Sequence, residues 1–244
     1  MNKTKIFTQF LERSQINMSL LLSQYDSEKF PNTDIIKSEV FYELINNEVT
    51  EKNQSYIDSV CGLQSLSHNR DARTPVEYAR DLALSWLCED AISMQFKDAG
   101  LPLKTQGADK DRVFLKGASV SSSADFTFGF NKFIRNLELV DDWTTHWKTY
   151  DKCDLRDRKF QKLMSQKTIL FGICYSTSTA FVLDTEEFPK ELEVSLITAE
   201  NHKYKKPVTK IKGVSHLLQP LEQAIEQVVN TFIETVISGL DKRQ

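Results

Sequence analysis

The amino-acid sequence reads as an α/β (α+β) chain, with a mixed central sheet flanked by helices and a helical region ahead of it. Three stretches carry this expectation. A well-signalled helix opens at Thr74-Pro75-Val76-Glu77. Two short alternating segments, around Phe126 and around Leu137, precede residues 168–175, a nearly continuous apolar run of the kind that forms a buried strand. The chain closes on an amphipathic helix in which Leu217, Leu221, Ala224, Ile225, Val228, Phe232, Val236 and Ile237 share one face, with Pro220 marking its start.

Bulk composition narrows the function classes. With 244 residues, 40% hydrophobic and 27% charged, the chain is long and apolar enough for a sizeable core. A net charge of −3 excludes a globally basic nucleic-acid binder but leaves room for a local basic groove. Cys61, Cys88, Cys153 and Cys174 are far apart and form no CxxC pair, which argues against a zinc site or a disulfide framework. No apolar run approaches the ~20 residues of a membrane span. A cytoplasmic protein with no membrane partner is expected.

Taken in order, residues 1–70 form the helical N-terminal region and residues 71–244 the α/β core. In the first, Ile6, Phe7, Phe10 and Leu11, then Leu20 to Leu22, then Val40, Phe41, Leu44 and Ile45 recur at helical spacing. Pro31-Asn32-Thr33-Asp34 breaks the pattern, with Thr33 or Asp34 as N-cap of the helix that follows. This region is either a helical cover or a subdomain for partner or DNA contact. Thr74, Pro75 and Glu77 then combine an N-cap, a first-turn proline and a capping-box acid. The helix runs to about residue 98 and stops at Gly100, and its apolar stripe includes Ala79, Ala83, Trp86, Leu87, Ile92 and Phe96. Residues 113–117 read as a short strand. Residues 154–166 read as a helix with Asp154 as N-cap and Phe160, Leu163 and Met164 on its apolar edge. Residues 180–183 and 193–197 are further strands, and 202–212 is the most basic segment.

The chemistry centres on two carboxylates. Asp125 heads one alternating segment and Glu138 sits inside the next, thirteen residues on, a separation that suits two antiparallel strands and a tight connection. Such a pair is either a site for a divalent metal, which takes oxygen ligands and keeps several waters, or two satisfied carboxylates on a sheet edge. Competing chemistries have less support. His68, His146, His202 and His216 lack zinc spacing, and there is no GxSxG, Walker or GxGxxG pattern.

Helix, strand, strand with Asp125, strand with Glu138, helix and buried strand, over residues 74 to 184, resemble the core of the PD-(D/E)xK nuclease superfamily, which includes many type II restriction endonucleases. Ala124-Asp125 resembles the first half of its motif, with Ala in place of Pro. Glu138-Leu139-Val140 resembles the acid-x-Lys half, with Val140 where Lys is expected. The resemblance implies Mg²⁺-dependent hydrolysis of double-stranded DNA by a homodimer. Asp125 and Glu138 would be metal ligands, Glu89 a third acid from the first core helix, and Lys148 or Lys152 (with Lys116 after them) the displaced lysine. It places phosphate contacts on Arg70, Arg73, Lys104, Lys110, Arg112, Lys203, Lys205 and Lys206. Trp143, His146, Trp147 and Tyr150 either stack on a base or belong to a core. The C-terminal helix either closes the core or forms a dimer seam. The alternative reading is a non-catalytic DNA- or protein-binding module of the same fold, in which Val140 records lost activity.

Overall fold

A computed structural model of the protein describes residues 2–25, 37–67, 73–106, 110, 112, 123–201 and 206–241. Two compact units emerge, Met1–Ile92 with Gln106–Ser123, and Ser93–Thr105 with Ala124–Gln244.

The first unit is helical, as its periodicity requires. Its helices are α1 (Lys3–Arg13), α2 (Met18–Leu22), α3 (Ser38–Asn46) and α4 (Glu51–Ser67), joined by most of α5 (Pro75–Asp98). Asn2 caps α1 by accepting from the Lys5 N–H, and Asn17 caps α2 by accepting from Ser19 and Leu20. Phe7, Phe10, Leu21, Phe41, Leu44 and Trp86 are buried in its core, where the Tyr25 and Phe41 rings lie 4.1 Å apart. The expected caps at Thr33 or Asp34 lie outside the described residues, and α3 begins with Lys37 at the cap position. The α5 capping box forms reciprocally. Glu77 accepts from the Thr74 N–H at 2.8 Å, and Thr74 Oγ1 accepts from the Glu77 N–H at 3.3 Å. At the other end Gly100 takes a φ of +84°, the left-handed conformation that a C-terminal glycine supplies cheaply.

The second unit carries the sheets. Its elements are β1 (Lys104–Thr105), β2 (Phe126–Phe128), β3 (Arg135–Asp142), α6 (His146–Tyr150), β4 (Lys152–Arg156), α7 (Asp157–Ser165), β5 (Ile169–Cys174), β6 (Thr179–Asp184), β7 (Glu193–Ile197), β8 (Val208–Lys212), β9 (Gln219–Pro220) and α8 (Leu221–Asp241). The six-stranded mixed sheet runs β1-β2-β3-β5-β6-β9, with β3 and β5 parallel and every other pair antiparallel. A parallel pair needs a long crossover, here supplied by α6, β4 and α7. A smaller antiparallel sheet, β4-β8-β7, forms beside it in the same unit. All six residues of β5 are buried, as its unbroken apolar run demands.

Several local expectations change. Asp154 is not an N-cap but the middle of β4, and α7 starts at Asp157. The alternation Lys152-Cys153-Asp154-Leu155-Arg156 explains this, because it buries Cys153 and Leu155 with period two and outcompetes the capping signal. Leu217 belongs to a 3₁₀ turn ahead of α8. The strand expected at 113–117 lies outside the described residues. The first turns of α8 bury Leu221, Ala224, Ile225, Val228 and Phe232, while Ile233, Ile237 and Leu240 remain exposed. Among the described residues, no helix is long and apolar enough to cross a membrane.

Beneath α7 lies a core of Trp147, Phe160, Leu163, Leu170 and Phe181, against which Val140 packs. Gly172 makes it possible. In register with Phe181 across β5 and β6, it has no side chain, and an added Cβ would meet the Phe181 ring at 2.1 Å. Gly172→Ala is therefore expected to lower stability by about 1–3 kcal/mol, the usual range for overpacking, measured by urea denaturation.

Candidate functional site

The pairing of β2 with β3 builds the site. Its register joins Phe126 to Leu137 and Phe128 to Arg135. Continued by one residue, it sets Asp125 opposite Glu138. Side chains opposite one another in an antiparallel pair share a face, with Cβ atoms roughly 4.5–5.5 Å apart. Asp125 lies just before β2, and there its side chain replaces a strand partner. Asp125 Oδ2 accepts from the Leu139 N–H at 2.8 Å. Glu138 is only 7% exposed and its Oε1 accepts from Lys159 Nζ at 2.7 Å.

Lys159 comes from α7. The crossover helix covers the face of β3 that carries Glu138 and Val140, anchored there by Phe160 and Leu163. Val140 is thus part of the apolar floor, and the cation reaches the acids from the helix above it. Sequence reasoning placed the displaced cation at Lys148, Lys152 or Lys116 and missed Lys159, which lies further along the crossover on α7. A usable signal was present: Lys159 directly precedes Phe160, at the flank of the apolar stripe that a crossover helix must turn toward the sheet.

The electrostatics of the pair are strained. Burial, the charge of Glu138 and, more weakly, that of Asp141 push the Asp125 carboxyl up to about 8, while Lys159 and the Leu139 N–H act in the opposite direction. Two carboxylates held face to face and partly desolvated offer the hard oxygen donors that a divalent cation takes, and such a cation would relieve their repulsion. In donor chemistry the residues fit Mg²⁺.

Neighbouring groups have assigned work. Asp142 is buried and organises the turn into α6: its Oδ1 accepts from the Thr144 N–H at 2.8 Å and its Oδ2 from the Trp147 N–H at 3.0 Å. Asp141 accepts from the Tyr175 hydroxyl at 3.0 Å, and Trp143 stacks on Tyr175 with centroids 4.6 Å apart. Trp147 is a core residue set edge-on to Phe181. Tyr150, 62% exposed, contacts the partly exposed His146.

Comparison with protein-family models, with curated proteins and with solved structures finds no match. Assignment therefore rests on the geometry.

The other expected site residues scatter. Lys148 is exposed on α6, and Lys152 pairs with Asp154 at 3.5 Å. Lys116 lies outside the described residues, as do Arg70, Lys203 and Lys205. Glu89 accepts from Arg112 at 2.6 Å, so its carboxylate is engaged within the helical unit. Arg112 is a correction. It is not a rim cation but 7% exposed, forking between Glu89 and Asp90, and Asp90 also accepts from the Tyr25 hydroxyl. Arg73 pairs with Asp81 at 2.6 Å and stands over the Tyr78 ring. Lys104, Lys110 and Lys206 are exposed.

The raised Asp125 carboxyl makes a pH prediction. Unfolded, the group ionises near 3.8; folded, near 8. Between those values the folded state holds the extra proton, so stability is greatest below the lower value and falls as pH rises to the upper one. Asp125→Asn removes this loss. The variant should match wild type near pH 4 and become the more stable protein toward pH 8, the gap growing by at most about 1.4 kcal/mol per pH unit. Chemical denaturation at a series of pH values measures it, and parallel curves would show that Asp125 ionises normally.

Proposed function

We propose that the protein is a Mg²⁺-dependent endonuclease that hydrolyses DNA phosphodiesters, in the manner of the sequence-specific type II restriction enzymes of the PD-(D/E)xK superfamily. The observation that carries this reading is the opposition of Asp125 and Glu138 across β2 and β3, with Lys159 on Glu138. The order of elements supports it: α5, β2, β3, α7 and β5 follow the helix, the two acid-bearing strands, the helix and the buried strand on which the resemblance rests, with α6 and β4 inserted before α7, while the strand expected at 113–117 lies outside the described residues.

Asp125 and Glu138 would hold the metal, which when bound polarises the phosphodiester and lowers the pKa of a coordinated water. The chain's own groups do the rest. Lys159, 26% exposed, sets a positive charge beside Glu138 on the solvent side, where it can orient a water or offset charge building on a phosphate oxygen. The acid-x-Lys role left vacant at Val140 passes to this residue. The Leu139 N–H fixes the rotamer of Asp125, so one ligand is oriented before any substrate arrives. A duplex has two strands to cut, and a homodimer supplies two such sites. The exposed Ile233, Ile237 and Leu240 of α8 offer its seam.

Incubation with mixed-sequence phage DNA and Mg²⁺ tests the activity, discrete bands marking sequence-specific cleavage and a smear a nonspecific nuclease. Asp125→Asn and Glu138→Gln should each slow cleavage by about 10²-fold or more, and Lys159→Met by a similar factor. A readout independent of turnover accompanies these. At pH 8, Mg²⁺ should raise the thermal midpoint of wild type but not that of Asp125→Asn. Full cleavage by both acid variants would refute the assignment.

A further inference from the structure

Charge is distributed unevenly along this acidic chain. Residues 148–162 hold six Lys or Arg against three Asp, and residues 206–212 add three Lys with no acid. The fold brings these stretches together as β4 and β8 of the small sheet, in the same compact unit as the acid pair. Lys152 stands directly opposite Lys212, and Asp154 opposite Lys210. Alternation puts Lys152, Asp154, Arg156, Lys210 and Lys212 on one face, since Cys153, Leu155, Thr209 and Ile211 are buried on the other.

The acids nearby neutralise this face only in part, Asp154 and Glu193 against four cations. Asp151 accepts from the Ser215 N–H at 2.9 Å, and Asp157 accepts from the Thr209 hydroxyl at 2.8 Å. Lys152 pairs with Asp154 and Lys212 with Glu193. Among the described residues, Arg156 and Lys210 have no acidic partner. Lys152 and Lys212, directly opposite, each hold an acid of their own, so the uncompensated charge of the face lies at Arg156 and Lys210 and favours an anion laid across them. Arg156 is also the residue before α7, three positions from Lys159. The positive face therefore runs in sequence into the acid site.

We propose that the solvent face of β4 and β8, through Lys152, Arg156, Lys210 and Lys212, binds the sugar-phosphate backbone of the DNA on which the Asp125–Glu138 site acts. This inference rests on the nuclease reading and adds the surface that holds the substrate. A face of this kind recognises phosphate charge, so it sets orientation and affinity and leaves sequence choice to other contacts. It replaces Arg112, which is buried, as a phosphate contact.

The full-length protein and a fluorescein-labelled duplex, with EDTA to prevent cleavage, provide the test. Anisotropy titrations between about 50 and about 200 mM salt give the slope of log K against log salt, which changes by about 0.9 for each phosphate that is no longer neutralised. Arg156→Gln with Lys210→Gln should reduce that slope by about 2 and weaken binding at least tenfold at the lower salt, equally for unrelated sequences. Arg156→Lys, which keeps the charge and controls for misfolding, should bind nearly as wild type, and so should Lys52→Gln in the helical unit. If wild type binds and cleaves DNA while the double variant keeps the full slope, this surface is wrong and the nuclease reading stands. If wild type neither binds nor cleaves, both fall. If polyglutamate displaces the duplex as well as unlabelled DNA of equal charge does, the face takes acidic protein segments and the DNA assignment is overturned.

Discussion

The pairing of β2 with β3 is the constraint on which the candidate site depends. Its register sets Asp125 against Glu138, and a slip of one residue would turn every side chain of β2 to the opposite face. The parallel pairing of β3 with β5 adds the second constraint, because it forces a crossover, and the crossover brings α7 over the face that bears Glu138. Register places the acids. Topology places the lysine. None of Asp125, Glu138 and Lys159 is adjacent in sequence to another, yet the two pairings leave each little freedom.

Two clusters of acids in this protein differ in how their charges are compensated. In the helical unit, Glu89 and Asp90 share the fork of Arg112, all three side chains are at most 14% exposed, and the fork donates to both carboxylates. Such a network is closed, and breaking one partner would leave a buried charge. In the sheet unit, Asp125 and Glu138 repel each other across the strands, with a lysine that stays partly exposed as the nearby cation. The Asp125 carboxyl is pushed upward by this arrangement. A cluster that keeps such strain next to solvent is open to a ligand in a way that the Arg112 cluster is not.

Much of the fold was legible because local signals and tertiary needs agreed. Thr74, Glu77 and Gly100 fixed both ends of α5, and the apolar run of β5 could only be buried. The reading failed where two local signals competed. Asp154 looked like a helix cap, and only the pairing of β4 with β8 shows that the alternation around it prevails. The opposition of Asp125 and Glu138 was legible because each acid stands out among apolar neighbours on paired segments. Lys159 was not, since its relation to Glu138 depends on where the crossover helix lands, and no spacing along the chain records that. Arg112 was misjudged for the same reason: an arginine among charged residues looks solvated until its partners on α5 are known.

Val140 joins these points. A lysine two positions beyond Glu138 would share its face and could serve the site from the strand itself. Instead Val140 packs into the core beneath α7 together with Phe160, Leu163 and Leu170. A charge there would have to be carried through that apolar layer, whereas a lysine at the flank of α7 reaches the same carboxylate with its stem along the helix and its ammonium near water. The chemistry asks for a positive charge at a point in space, not for a residue at a place in a motif. Filling the strand position with valine strengthens the packing that seats α7, and that packing in turn holds Lys159 against Glu138.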